Sequence, residues 1–369
     1  MLDRSKIIKE LSSRVDGLEN ILALEHECAR ALWERVARDN ALCEHLQSMP
    51  QQLSLPSWTG ALGEKKSPDP ITEYDVVSID GSQIYPDRHQ GIDCFLINIG
   101  ACHFKYRAHK SSVVFRTEPN VYFSHEMPEC DDSPESINAL RTELEFKKGT
   151  QWFSNAGQTC DSFPRLLLLD GSLIFWHLHA NESSQKSVFL DRYLTLLREL
   201  YEQNTLYACY ISLPKSREMI NVLRAAALLK SGEPIDFNYL LDIDIANFYL
   251  EASERSIVLC NHAPVTQRYP EHSKPHFYYV NSGYEMGRVE IPAWIAQDPE
   301  KLALVETIIN DQLTKGFGYP IALAEAHEQA VITNTDREFF YHALRSLTMH
   351  HKTLFRQSQK LMKKQRAGI

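Results

Sequence analysis

The sequence predicts an α/β protein: a mixed sheet flanked by helices, with a helical extension ahead of it and a helix behind. Three observations carry that prediction. The tripeptide Asp-Gly-Ser occurs twice, at 80–82 and 170–172, each time directly after an apolar run, Val76–Ile79 in one case and Leu166–Leu169 in the other. Short runs rich in β-branched and aromatic residues fill the stretch after the first copy. Amphipathic helical patterns alternate with apolar strand patterns around the second copy.

Taken in order, residues 1–48 form an N-terminal helical region. Ile8, Leu11, Val15, Leu18, Leu22, Ala29, Leu32, Val36 and Leu46 recur at mostly alternating three-and-four spacing. Glu25 and Asp39 interrupt that seam and Gly17 weakens it, so one long helix or two broken ones are expected. Residues 49–73 hold Pro50, Pro56, Pro68 and Pro70 and read as a linker or irregular loop. The main body spans 74–345. Cys94–Ile99, Ala101–Tyr106, Val113–Arg116 and Val121–Phe123 read as four short strands whose brief connections favour an antiparallel meander.

Ser133 fits a helix N-cap and Pro134 the first helical position, opening a helix with Ile137, Leu140 and Leu144 on its apolar stripe, ending near Trp152. Arg165–Leu169 is a continuous apolar run, as a strand buried on both faces requires. Then follow a helix over 188–203, a strand over 206–211, a helix over 216–230, and helices at 299–314, 320–332 and 336–364. Residues 346–369 form a basic helical tail.

The formal net charge is −9, from 39 Lys and Arg against 48 Asp and Glu, which argues against a simple basic nucleic-acid binder. The charge is uneven. No acid follows Glu338, while Arg345, Lys352, Arg356, Lys360, Lys363, Lys364 and Arg366 crowd the tail, where a polyanion can be held. The alternative is a solvated helix. No apolar run reaches the roughly 18 residues of a membrane span, and the start, MLDRSKIIKELSSR, is charged, so a cytoplasmic protein is expected. Eight scattered cysteines make no CxxC pair, which argues against a zinc ribbon and a disulfide framework.

The chemistry centres on the two tripeptides. A carboxylate at the end of a sheet strand is rigidly held, and the following glycine permits a sharp turn or a close ligand. Two such carboxylates on adjacent strands repel unless protonated or bridged by a cation, and Mn²⁺ or Mg²⁺ suits oxygen ligands. The element order is that of a ribonuclease-H-like core. Nucleases with that core hold two divalent metals on a first-strand Asp, a helix Glu and a later-strand Asp, and clamp the attacking and leaving oxygens. Here these are Asp80, either Glu143 or Glu145, and Asp170. The two glutamates flank the Leu140/Leu144 stripe on opposite sides, and Glu145 is preferred.

Arg88, His89, His103, Lys105, Arg107 and His109 put basic side chains on or near the meander, as a DNA track or an ordinary exposed face. Ser82, Ser172, Lys105 and Arg107 are the candidate substrate contacts. Lys215, after Pro214 at a strand end, can stabilise charge on a phosphate, and His327 sits in the helical stretch IALAEAHEQAV.

Over residues 74–345 the chain resembles the NurA nuclease family. The resemblance rests on SIDGS at 78–82, RTELE at 141–145, LLLLDGSL at 166–173, YISLPKSREMINVLR at 210–224, YYVNSGYEMGRVEIPAWIA at 278–296 and GYPIALAEAHEQAVITNTDREFF at 318–340. It implies a ribonuclease-H-like fold, Mn²⁺-dependent DNA cleavage with 5′-to-3′ exonuclease action, a toroidal homodimer, and partnership with a hexameric HerA-type ATPase in DNA end processing. It also implies Asp80, Glu145, Asp170 and His327 as the metal and catalytic set for one or two ions, with Lys215 near them. The expected function is a metal-dependent deoxyribonuclease in repair or defence. A catalytically inactive DNA- or translocase-binding regulator and a phosphodiesterase for RNA or small nucleotides remain alternatives.

Overall fold

The computed structural model describes residues 2–49, 55–87, 93–127, 130, 132–156, 163–176, 184–232 and 234–350. Arg88, His89 and the basic tail from residue 351 on lie outside the described residues. The chain forms two compact units, one made of Met1–Asp69 with Tyr210–Asn310, the other of Pro70–Cys209 with the segment from Asp311 on.

In chain order the elements are α1 (Arg4–Val36), α2 (Asn40–Ser48), β1 (Ser57–Trp58), β2 (Lys65–Lys66), β3 (Tyr74–Ile84), β4 (Cys94–Tyr106) and β5 (Ser112–Phe123). Next come α3 (Pro134–Ala156), β6 (Arg165–Asp170), α4 (Ser184–Glu202), β7 (Tyr207–Ser212), α5 (Glu218–Ser231) and α6 (Asp242–Ala246). β8 (Arg255–Ser256), β9 (Leu259–Cys260), β10 (Pro275–Asn281), β11 (Met286–Pro292), α7 (Ala293–Ala296), α8 (Pro299–Lys315), α9 (Ile321–Ala330) and α10 (Asn334–His350) complete the described chain. Among the described residues no helix is long and apolar enough to cross a membrane.

In the first unit the predicted long helix breaks at residues 37–39. Asp39 caps α2 by accepting the Leu42 N–H at 3.0 Å. The apolar seam of α1 is buried only in its second half, where Ala29, Trp33 and Val36 join Met219, Leu223, Phe237 and Leu240 in one core. Glu25 interrupts the seam because its carboxylate accepts the Asn238 and Tyr239 N–H groups at 3.0 and 3.1 Å. The stretch read as irregular carries two short strands, β1 paired to β9 and β2 paired to β8, and it buries Leu55, Trp58 and Leu62. Residues 50–54 of that stretch lie outside the described residues. β10 and β11 form an antiparallel hairpin.

The second unit is built on β3. β4 runs antiparallel to it along all eleven of its residues, and β5 runs antiparallel to β4. β6 lies on the other side of β3 and is parallel to it, but only from Asp75↔Arg165 to Ile79↔Leu169. The sheet is therefore mixed, as expected. The four short strands of the sequence reading are two long ones, since Gly100 pairs inside β4 opposite Asp80 instead of breaking it. α3 covers the sheet face to which Gly81 turns and α9 covers the face to which Gly100 turns. Ser133 caps α3 as expected, its hydroxyl accepting the Ser136 N–H at 3.2 Å. Of the seven described cysteines, five are buried.

Candidate active site

The register of β3 assembles the site. The sequence reading ended this strand at the first Asp-Gly-Ser. Instead β3 continues through Asp80, Gly81 and Ser82 to Ile84, because β4 pairs with it throughout. What ends there is the parallel pairing with β6, whose last pair is Ile79↔Leu169. The next residues on the two strands are Asp80 and Asp170, so the pair stands at the point where β6 stops. Gly171, at φ +94°, turns the chain away.

Glu145 enters from α3. A Cβ on Gly81 would lie 2.6 Å from Glu145 Oε1, so the bare glycine leaves room for that carboxylate against the strand. Glu143, its rival, turns to α4 and pairs with Arg192 at 2.8 Å. Glu145 is paired with Arg141, one helical turn earlier, at 3.2 Å. Arg141 also donates to the Gly81 carbonyl and to Gln83 Oε1 at 3.3 and 3.0 Å.

His327 comes from α9. Its Nδ1–H donates to Asp80 Oδ2 at 2.7 Å, while the Gly81 N–H donates to Asp80 Oδ1 at 2.7 Å. The His327 side chain is 60% exposed, so it is no core histidine, and Nε2 is the ring nitrogen left by the Asp80 bond. Asp170 Oδ1 accepts from Tyr319 at 3.2 Å.

The electrostatics follow from this geometry. Burial pushes the Glu145 carboxyl up to about 8; Arg141 opposes the rise, and the charges of Asp80 and Asp170 add to it. Asp170 is also raised, by the protein packed around its base and then by Asp80, although solvent reaches it. Three acids thus face one another with too little positive charge between them. Among the described residues no three of these side chains are closed up tightly enough to enclose an ion. In kind they fit one: carboxylate oxygens and an imidazole suit Mn²⁺ or Mg²⁺, and a divalent cation removes the like-charge cost.

Of the other expected residues, Ser82, Ser172 and Arg107 have protein partners. Ser82 donates its hydroxyl to the Ala330 carbonyl of α9, and Ser172 Oγ accepts from the Ile174 N–H and from Trp176 Nε1. Arg107 pairs with Asp75 at 2.8 Å and lies over the Phe163 ring. His103 pairs with Asp75 at 3.2 Å, and Lys105 stands across from Asp75 in the register. Lys215 is exposed, in the unit that does not contain the three acids.

Sequence reasoning missed Arg141, Asn98, Gly100 and Tyr319. Arg141 had a signal, four residues before Glu145. Gly100 had another, an isolated glycine in an apolar strand run, which marks close backbone approach. Tyr319 and Asn98 had none.

Fold and site define an α/β protein with an acidic cluster at the end of a parallel strand pair. The NurA domain family matches residues 74–332, and the chain belongs to that family. Three solved structures of NurA are similar to it. One is 12% identical with a TM-score of 0.43, covering 94% of this chain and 98% of that one. One solved with manganese is 11% identical with a TM-score of 0.44, covering 91% and 98%. One bound to dAMP and manganese is 11% identical with a TM-score of 0.34, covering 94% and 98%. No curated protein matches the chain.

Proposed function

We propose that this protein is a metal-dependent deoxyribonuclease, a phosphodiester hydrolase that uses Asp80, Glu145 and Asp170 to hold one or two Mn²⁺ or Mg²⁺ ions. The observation that carries the reading is the convergence of three acids from β3, α3 and β6 with their charge unbalanced. Bound there, the metal supplies polarisation of the phosphate and a water of lowered pKa for in-line attack.

The chain's own residues do the rest. Asp80 orients His327 through Nδ1, which leaves the Nε2 lone pair to ligate a cation or accept a proton. Arg141 offsets part of the acid charge and steadies Glu145. Membership in the NurA family supports DNA as the substrate, 5′-to-3′ exonuclease action in end processing, a homodimer and a HerA-type hexameric ATPase partner.

Asp80→Asn and Asp170→Asn are expected to fold normally by circular dichroism and to lose Mn²⁺-dependent cleavage of labelled DNA by about a hundredfold or more. An Asp80→Asn protein that degrades DNA at the wild-type rate would refute the assignment. Turnover of single-stranded DNA, RNA and dinucleotides side by side fixes the substrate class; a preference for RNA or dinucleotides overturns the DNA reading.

A further inference from the structure

We propose that Ser82, Asn98 and Gly100 form a clamp that seats the last turn of α9 on the sheet and so holds His327 against Asp80. They are positioning residues, and the proposal rests on the nuclease reading of His327. The last carbonyls of a helix have no partner within it. Here the Ala330 carbonyl accepts from the Ser82 hydroxyl and from Asn98 Nδ2 at 2.9 Å, and the Gln329 carbonyl accepts from Asn98 Nδ2 at 3.3 Å. Thr117 donates its hydroxyl to Asn98 Oδ1 at 3.0 Å, which fixes the amide with its nitrogen toward α9.

Gly100 makes the seat possible. A Cβ there would lie 2.6 Å from the Ala326 carbonyl oxygen and 2.5 Å from the Gln329 carbonyl carbon. Those atoms are backbone and cannot swing aside, so helix backbone rests directly on strand backbone. Ala326 and Ala330, both fully buried, are small enough to allow it.

The register turns this seat into aim. Asp80 stands opposite Gly100 and Ser82 opposite Asn98, two residues further on the same sheet face. That step is about 6.8 Å along a strand. His327 and Ala330 are three residues apart on one side of α9, about 4.5 Å along its axis. Fixing Ala330 over the Ser82–Asn98 pair therefore sets His327 over the Asp80–Gly100 pair. The exposed imidazole has little packing of its own to hold it, so its place follows from that of the helix.

The test is Asn98→Asp, nearly isosteric, which sets an acceptor against two carbonyls where a donor stood. In the metal-free protein, the ring ¹⁵N spectrum of wild type is expected to show His327 as one Nδ1-protonated tautomer. Asn98→Asp is expected to show mixed tautomers. With Mn²⁺, Asn98→Asp is expected to lose about tenfold in kcat. Combined with His327→Ala it is expected to cleave no more slowly than His327→Ala alone, because both remove one function.

Should Asn98→Asp fail to fold, Ser82→Ala is measured the same way, with Ser82→Thr, which keeps the hydroxyl, expected to restore the spectrum. An unchanged His327 spectrum, or a loss that multiplies with His327→Ala, overturns the clamp and leaves the nuclease reading standing. A His327→Ala protein with wild-type cleavage instead overturns the role of His327 itself.

Discussion

Two clusters of charge lie five residues apart on β3, and they are opposites. At Asp75 the acid is closed in by two guanidiniums and an imidazole: Arg107 at 2.8 Å, Arg165 at 4.0 Å and His103 at 3.2 Å. The two guanidiniums lie over Phe163 and Phe153 at 3.9 and 4.2 Å from the ring centroids. Burial alone would raise the Asp75 carboxyl, but hydrogen bonds from His103 and Arg107 outweigh it and hold the group below the usual carboxylate range. At Asp80 the neighbours are His327 and two further acids, and Glu145 and Asp170 are pushed up. The first cluster is complete within the chain. The second has Arg141 on Glu145 against three acids, and the remaining deficit is what a bound cation would supply. Perturbation of two neighbouring acids toward the neutral form is what a site built for a cation would show.

The contrast is broken most severely at its satisfied end. Asp75→Asn leaves Arg107 and Arg165 half-buried without their shared counter-ion. Removing one member of such a buried set costs about 3–5 kcal/mol. Chemical denaturation should register that loss, while Mn²⁺-dependent cleavage per folded molecule stays at the wild-type level. A variant of unchanged stability would show that the cluster is not closed as described.

The two ends also respond to pH in opposite directions. The Asp75 carboxyl is depressed, so its contribution is present above the ordinary value of 3.8 and is lost as pH falls through the lower folded value. The Glu145 carboxyl is raised, so in the metal-free protein its contribution is full below the ordinary value of 4.5 and is lost as pH rises through about 8. Glu145→Gln should therefore unfold later than wild type at pH 9 without metal, by about 1–3 kcal/mol, and gain less from added Mn²⁺. At pH 4 the two should converge. A thermal melt in which Glu145→Gln is less stable than wild type at pH 9 would remove the case for an electrostatically costly cleft.

Much of this was legible in the chain itself. Asp80, Glu145, Asp170 and His327 are readable as candidates because two lie in a repeated tripeptide after apolar runs and all lie in family motifs. The helical stripe of α3 narrows the glutamate to two residues on opposite sides. Choosing between them needs Arg192, which takes Glu143 and stands 49 residues away. The alternation of His103, Lys105 and Arg107 is visible in the sequence, but their closure onto Asp75 is a cross-strand match that no local pattern carries. The extent of β3 escapes local pattern for the same reason: Asp-Gly-Ser looks like a turn, and only pairing with β4 keeps it extended. Lys215 shows the limit of motif reading, since a motif names a residue without placing it.

The finest difference is between the two tripeptides themselves. Gly81 sits in an extended strand, where its missing Cβ leaves space for Glu145; a Cβ would lie 2.6 Å from Glu145 Oε1 and 2.9 Å from Arg141 Cγ. Both obstacles belong to flexible side chains, so Gly81→Ala should fold, at a cost of about 1–3 kcal/mol, but with Glu145 displaced and cleavage reduced. Gly171 has the opposite constraint. Its φ of +94° disfavours any side chain, while a Cβ there meets nothing within 4 Å. Gly171→Ala should cost about 1–2 kcal/mol of backbone strain and leave cleavage near wild type. Melting points and Mn²⁺-dependent rates of the two variants, measured together, test whether identical tripeptides do different work. Equal losses of rate would mean that Gly171 also shapes the cleft, and that the turn after β6 is part of the site and not merely its boundary.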